Sequence, residues 1–491
     1  MAAESSLFPR VLPSTDVLVL GAGLAGLRAA ISAHQTDPGL SVTLATPSHG
    51  PSGSSFANKN NALGMQVLET DDQVQACIQR VMDRATPGQV DSALVRVLAE
   101  ESRARLQDMI AMGLKFDRSP AGSLQRRKGC FFPEHKSAVV FRDLGQAFSA
   151  FSSSFRDLGG DLRTGLSCIG LVSLPSRSRV VGALFRDRDN TVRAMQAKAV
   201  ILAMGGPAPL FPRHMSDPGN SGWGLALLAR AGAKLGNLPY VQFMWRDFSS
   251  GRFLPVGKLD SPGSGIINNR GDVEPLPEEL RPLCASRRSH CPMSWGLADR
   301  AIDQWLISRM DWNATSAAQG TLRLVLPTPF GDEVLQAGLW AHAGNGGAVI
   351  DAHGRTSVPG LYALGECATA MHGADRIGGA MVAATQVFGH RAGADAAQSA
   401  ADSSWERESD FNDLARLACE GFGHHPFSTD TRDELGWSIY TGLLHSQAHL
   451  PEKEMMERVE SSPRRPLRPE DSLFQQACRL LLQGCRERPW G

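Results

Sequence analysis

The stretch Thr15 to Ala33, TDVLVLGAGLAGLRAAISA, constrains this chain more than any other. A short Val- and Leu-rich run leads into Gly21-x-Gly23-x-x-Gly26, and a helical pattern follows. In such a strand–turn–helix each glycine has its own task. Gly21 permits the tight turn, Gly23 lets the main chain approach a pyrophosphate, and Gly26 lets helix and strand pack closely. The new helix presents unpaired N–H groups and the positive end of its dipole to phosphates. A glycine-rich turn that binds nothing fits the same letters. A second strand over residues 40–47, at the expected distance, favours a dinucleotide site built on Gly21, Ala22, Gly23 and Gly26. Where many such folds end the second strand in an acidic residue for the ribose, this chain has Ala45-Thr46. The missing carboxylate argues against ordinary NAD specificity and leaves the Thr46 hydroxyl as the contact.

At 491 residues the chain exceeds what one core usually supports, so two or three domains are expected. Lys plus Arg equals Asp plus Glu. That balance argues against nucleic acid or an anionic membrane as a sequence-independent partner. No apolar run reaches the roughly 18 residues of a transmembrane helix, and MAAESSLFPRVLPS lacks the basic and apolar regions of a signal peptide. The expected location is the cytoplasm. The nine cysteines form no C-x-x-C pair, and the spacings Cys284/Cys291 and Cys478/Cys485 suit neither zinc nor iron–sulfur ligation. They read as free thiols in a reducing compartment, so any cluster on an electron path has to come from another subunit.

Residues 49–65 are too polar and glycine-rich for a core element and too long for a simple turn. Beside a dinucleotide site such a loop is suited to wrapping a cofactor, with hydroxyls from Ser52, Ser54 and Ser55. Residues 71–115 read as helices by their three- and four-residue apolar spacing. Two strand-like runs, CIGLVSL and RVVGALFRD, precede an apolar strand in 191–211 that ends at Gly205-Gly206. A glycine pair there serves equally as a tight strand exit or as a close approach to a ligand. From about 237 to 342, prolines, arginines and isolated aromatics interrupt short segments, and the clearest helix is expected over Trp295 to Met310. The strand-and-glycine pattern resumes at 342–366, with a turn at Asp351 to Gly354, and 399–491 reads as helical, broken at Pro463 to Pro469. The segment GLYALGECATAMHGADRIGGAM then ends an apolar run at Gly365-Glu366 and offers His372, Asp375 and Arg376 before another helix.

Along about four-fifths of its length, and in order, the chain resembles the flavoprotein subunits of fumarate reductase and succinate dehydrogenase, together with L-aspartate oxidase. DVLVLGAGLAGLRAA, AVILAMGGPAPLF, GNSGWGLALLARAGAKLGNLPYVQF, WGLADRAI and GRTSVPGLYALGECATAMHGADRIGG carry the resemblance. It implies an α/β fold: a doubly wound, Rossmann-like FAD-binding domain in two parts, 1–236 and 343–398, interrupted by an α+β capping domain, 237–342, and followed by a C-terminal helical region. The implied activity is FAD-dependent hydride transfer between flavin N5 and a carbon next to a carboxylate, with a small carboxylate as substrate and an iron–sulfur electron-transfer partner. Glu366 then closes on the ribityl and pyrophosphate side, with Gly365, Gly205 and Gly206 beside it. Arg376 matches the arginine of the family's HGANR, His342 the histidine of AHYTMGG, and Arg300 a capping-domain arginine thought to donate a proton. A guanidinium suits a carboxylate because its planar fork donates two parallel hydrogen bonds.

The chain departs from the family in ways that bear on substrate. The family's QFHPT reads Gln242-Phe243-Met244-Trp245-Arg246, so Met244 replaces a substrate-binding histidine, and the RGEGG segment has no clear counterpart. Half of a dicarboxylate grip is missing, and Trp245 and Arg246 are expected to shape a pocket for a bulkier or monoanionic substrate. The histidine that carries FAD covalently in respiratory members falls at Gly53, four residues beyond His49, so FAD is expected to be non-covalent. Trp223 replaces the aspartate of GDG, and Ala380-Met381 replaces an NS pair. The losses leave a second reading open: a flavin-bearing electron-transfer subunit of a larger complex without its own dicarboxylate site.

Overall fold

The strand Thr15–Leu20 is buried along its length between two parallel neighbours, Val42–Thr46 and Val192–Leu202. Burial on both faces is what a run of Val and Leu without polar alternation suits. In this computed structural model, which describes residues 9–58, 60–175, 178–216, 219–312, 319–328, 331–420, 422, 429–445 and 467–486, these strands form the centre of a parallel sheet. Asp161–Thr164 extends it on one side and Leu361–Ala363 on the other. Leu20, Thr46, Leu202 and Ala363 therefore end at one edge, the place where open α/β sheets bind ligands.

Two helices pack against each other and the sheet: Leu24–Thr36, which follows the glycine turn, and Ala380–Ala401. Small residues set their closeness. A Cβ on Gly393 would lie 2.2 Å from the Ala29 carbonyl oxygen, and one on Gly389 would lie 3.1 Å from that of Ala25. The second helix thus holds the first in register although more than 350 residues separate them in sequence.

Val192–Leu202 is long enough to serve two sheets. Its last residues join the parallel set, whereas Val192 to Gln196 pair antiparallel with Arg179–Arg186, which pairs in turn with Ser167–Leu174. A small antiparallel sheet of Ala62–Gln66, Ala138–Arg142 and Arg126–Arg127 flanks the loop that follows residue 49.

The capping unit is an antiparallel sheet over 241–344, in the order Val241–Asp247, Gly331–Gly344, Leu322–Thr328, Gly265–Ile267 and Val273–Glu274. The helix expected over Trp295 to Met310 is shorter, Arg300–Ile307. The stretch 295–299 stays outside the helix, with the N–H groups of Trp295 and Gly296 donating to the Asp375 carboxylate at 2.6 and 2.8 Å. The remaining helix is fixed by a fully buried ion pair between Arg287 and Asp303, and Asp303 also accepts from Trp245 Nε1 at 2.7 Å.

The residues expected to be helices over 71–115 form Asp71–Arg84 and Ser92–Ala111, and the turn closes with Gly354 N–H on the Asp351 carbonyl at 3.0 Å. Toward the C-terminus lie Glu408–Cys419, Thr429–His445 and Pro469–Arg486. The Tyr440 hydroxyl donates to the Leu339 carbonyl at 2.7 Å and seats the second of these on the long capping strand. The break at Pro463 to Pro469 and the reading of the first fourteen residues fall largely outside the described residues. Among the described residues no helix is long and apolar enough to cross a membrane, and no cluster of His, Cys, Asp and Glu could hold a metal ion.

Candidate functional site

One cavity of about 380 Å³ runs from the glycine turn to the capping sheet. At its first end the walls are mostly main chain. Gly21, at φ +109°, packs so close to the next strand that a Cβ would lie 2.5 Å from the Ala203 carbonyl oxygen. Gly26 does not line the cavity; a Cβ there would lie 1.9 Å from the Gly21 carbonyl oxygen, so its bareness lets the helix begin directly under the turn. Ala22, Gly23, Thr46, Ser54 and Ser55 line this end. Ser55 Oγ accepts from Leu24 N–H at 3.2 Å, which ties the loop to the first turn of the helix, and Thr46 Oγ1 accepts from Ser48 N–H at 3.3 Å.

Midway, Gly205 and Gly365 line the cavity, both with positive φ. Gly206 stands just outside, and a Cβ on it would lie 2.0 Å from Glu366 Oε2. The glycine pair thus makes room for a carboxylate. Glu366 lines the cavity and accepts from Gly344 N–H at 3.0 Å; burial raises its carboxyl above the usual range, against the pull of that hydrogen bond and of Arg376. Trp223 also lines this part, with Nε1 donating to the Cys168 carbonyl at 3.3 Å. His49 is exposed, bonds Thr164 Oγ1 at 2.9 Å and is not part of the lining, whereas Gly53 is.

The far end is made of side chains. Arg376 and His342 line it together with Met215, Met244, Phe253 and Met381. Arg376 is buried; Nε donates to Asn345 Oδ1 at 3.1 Å and Nη2 to Gln242 Oε1. Burial lowers its pKa, and among the described residues no carboxylate forms an ion pair with it. Asn345 is itself braced by donating to the Ala374 carbonyl at 2.8 Å. Asp375, next in the chain, points to the capping unit and takes Ser294 Oγ at 3.1 Å besides the two N–H groups already described. The His342 ring, half-buried, is pushed down to about 4, first by burial and then by Arg376, and is neutral near pH 7.

Arg300 is not brought to the cavity. It starts the capping helix, donates to the Trp295 carbonyl at 3.1 Å and lays its guanidinium 4.8 Å from the centre of the Trp295 ring. Two further expectations are corrected. Trp245 alternates to the opposite face of its strand from Met244 and is buried against Asp303. Arg246 is held at the Gly251 carbonyl and over the Trp340 ring, 5.0 Å from its centre, so neither residue lines the cavity. Gln242 and Asn345, which aim Arg376, have no local sequence signal, because their partner lies 134 and 31 residues away.

The sequence pattern of a family described as FAD binding domain matches residues 16–281 and 316–382, more than half of the chain. The chain belongs to that family. It is similar to a fumarate reductase (CoM/CoB) polypeptide of Methanothermobacter marburgensis, 27% identical over 421 residues, covering 79% of this chain and 73% of that protein. It is also similar to L-aspartate oxidase of Caulobacter vibrioides, 29% identical over 407 residues, covering 77% and 76%. Among solved structures, a FrdA mutant of the E. coli quinol fumarate reductase superposes with a TM-score of 0.71 at 18% identity, over 97% of this chain and 88% of that one. The apo Sdh1 complex of Mycobacterium smegmatis gives 0.70 at 21%, over 97% and 86%. At those identities the structures speak for the fold alone, the Rossmann-like FAD-binding fold with its capping unit.

This flavoprotein is thus an FAD-dependent oxidoreductase by family. Its cavity fits the cofactor on its own evidence. Gly21, Gly205 and Gly365 adopt left-handed backbone that leaves the walls bare, and the helix beginning at Leu24 meets the cavity with its N-terminal N–H groups.

Proposed function

We propose that the chain oxidises or reduces a bond adjacent to a carboxylate, binding FAD non-covalently along the glycine-lined end and the substrate at Arg376. The observation that carries this reading is the continuity of one cavity from Gly21 and Glu366 to Arg376 and His342. FAD supplies hydride acceptance or donation at N5. The residues supply the rest. Arg376 stands with its guanidinium already oriented by Gln242 and Asn345, and a planar fork held in this way loses little freedom on taking up a carboxylate. Neutral His342 has a ring N–H to give to the same anion. Gly53 in the lining, with His49 engaged by Thr164, is the basis for non-covalent attachment.

Arg376 is the one Lys or Arg side chain among the described lining residues, and Met215, Met244 and Phe253 line the same cavity. That composition suits one carboxylate with an apolar flank better than two carboxylates, since a second buried anion would lack a partner. The proton-donor role implied for Arg300 requires its guanidinium to leave the Trp295 ring, and no relay is assigned.

The test is spectroscopic. The visible spectrum before and after acid precipitation reports FAD and its attachment. Reduced protein is then mixed with fumarate and with crotonate, and oxidised protein with succinate, aspartate and butyrate. Flavin redox change with any carboxylate, stronger for the monocarboxylates, is the expected result. A flavin-loaded protein inert to all of them overturns the enzyme reading. Met244, standing where a substrate histidine is found in the family, favours the alternative in that event: a flavin-bearing electron-transfer subunit of a larger redox complex with an iron–sulfur partner.

A further inference from the structure

Of the eight cysteines whose side chains are described, all free thiols, six are buried singly in the core. The other two face each other across the boundary between the capping unit and the cofactor-binding part. Cys130 lies in the turn closed by Phe132 N–H on the Gly129 carbonyl, and Cys291 lies on the capping unit between His290 and Pro292. Cys291 N–H donates to Cys130 Sγ at 3.4 Å although 161 residues separate them. We propose that Cys130 and Cys291 are a modification site: a reversible disulfide that staples the capping unit onto the segment carrying Arg376.

Both cysteines sit on main chain that is already fixed. The Cys130 carbonyl accepts from Gly378 N–H at 2.9 Å, and a Cβ on Gly378 would lie 2.7 Å from Cys130 N, so this turn is clamped two residues beyond Arg376. The Cys291 carbonyl accepts from Arg287 Nη2 at 3.2 Å, and Arg287 is locked by its buried pair with Asp303. On the capping side, Ser294, Trp295 and Gly296 hold Asp375. The Asp375–Arg376 segment is therefore gripped from both sides by the two stretches that the sulfurs would join, and the bond would close the grip.

The electrostatics suit the chemistry. The Cys291 thiol and N–H both donate to Cys130 and, with His290 and Arg376 nearby, hold its thiol down to about 6 against burial, while Cys291 moves up. Near neutral pH the pair is one thiolate beside one thiol, the arrangement for rapid oxidation and exchange. With hydrogen peroxide as oxidant, the Cys130 thiolate attacks one peroxide oxygen and the O–O bond breaks. The hydroxide released takes up a proton as water, and Cys130 becomes a sulfenic acid. The Cys291 sulfur then attacks the Cys130 sulfur, the S–O bond breaks, and its oxygen leaves as water with the thiol proton. Two thiols lose two electrons and one peroxide becomes two waters. A dithiol reverses the bond by exchange.

The experiment uses the full-length protein. Equimolar hydrogen peroxide is added, remaining thiols are alkylated under denaturing conditions, and non-reduced peptides are analysed by mass spectrometry. The expected result is a Cys130–Cys291 peptide, loss of two titratable thiols, recovery of both with dithiothreitol, and a formation rate that rises as pH is raised through about 6. Cys291→Ser should leave a dimedone-reactive Cys130, and Cys130→Ser should slow peroxide consumption at least about tenfold by removing the thiolate. Oxidised wild type without the cross-linked peptide overturns the proposal. So does a Cys130→Ser protein that loses its thiols as fast as wild type.

Discussion

At the glycine-turn end the cavity wall is main chain, and at the capping end it is side chain. Gly21, Gly23, Gly205 and Gly365 shape the first by leaving out atoms. Arg376, His342, Met215, Met244 and Phe253 shape the second by adding them. The first end recognises what every dinucleotide has in common, through N–H groups and a helix terminus, and tolerates little change. The second end holds its cation by hydrogen bonds from segments more than a hundred residues apart, so the same fold can alter its substrate by altering a few side chains.

The largest effect should come from refilling the bare end. Gly26→Val places atoms where the Gly21 carbonyl oxygen now stands, and relief requires the helix to move off the turn. A loss of at least about 3 kcal/mol of stability is expected, read as a lowered Tm and a protein purified without flavin absorbance. Retention of full flavin would break the contrast, since the main-chain end would then be as adaptable as the other.

Next in size is the side-chain end. Arg376→Ala strands Gln242 and Asn345 and removes the anion partner; truncation of a buried, hydrogen-bonded charge costs about 3 kcal/mol, or roughly 10²-fold in kcat/KM for a carboxylate. Flavin content should stay at the wild-type level. Arg300→Ala should cost less than about tenfold while its guanidinium rests on Trp295. Equal losses from the two substitutions would sharpen the picture differently, by requiring the capping unit to close further than it does in this structure.

The smallest effect concerns His342. Its pKa falls from 6.5 unfolded to about 4 folded, so between those values the unfolded chain binds more protons than the folded one. Stability from this group is therefore full above pH 6.5 and declines as pH falls toward about 4, by at most about 3 kcal/mol. His342→Asn should flatten the fall of Tm between pH 7 and 4.5, with His390, also held near 4, keeping part of the slope. An unchanged slope would remove His342 from the cavity's titration.

The glycine turn and the second strand were legible because each is a local pattern with a local cause, bare backbone before a helix start and a short run buried on both faces, whereas the part of Gly365-Glu366 came from the family resemblance. The shortened helix at Arg300 was not legible, since the stretch before it is held by the Asp375 carboxylate, 80 residues on from Trp295. Trp245 was misjudged because adjacent residues on a strand face opposite sides, and which side meets a cavity depends on the neighbouring strand. Arg246 shares the face of Met244 but is drawn to the Gly251 carbonyl and the Trp340 ring, contacts that strand alternation does not specify.

The sequence by itself determined a dinucleotide-binding turn between a strand and a helix, because that feature is written in short-range spacing; that Glu366 and Arg376 belong with it in one α/β flavoprotein came from the family resemblance. Only the tertiary structure decided which cations reach the cavity, what aims them, and that Cys130 meets Cys291. Those are contacts between segments far apart in the chain, and no residue's neighbours in sequence specify its neighbours in space.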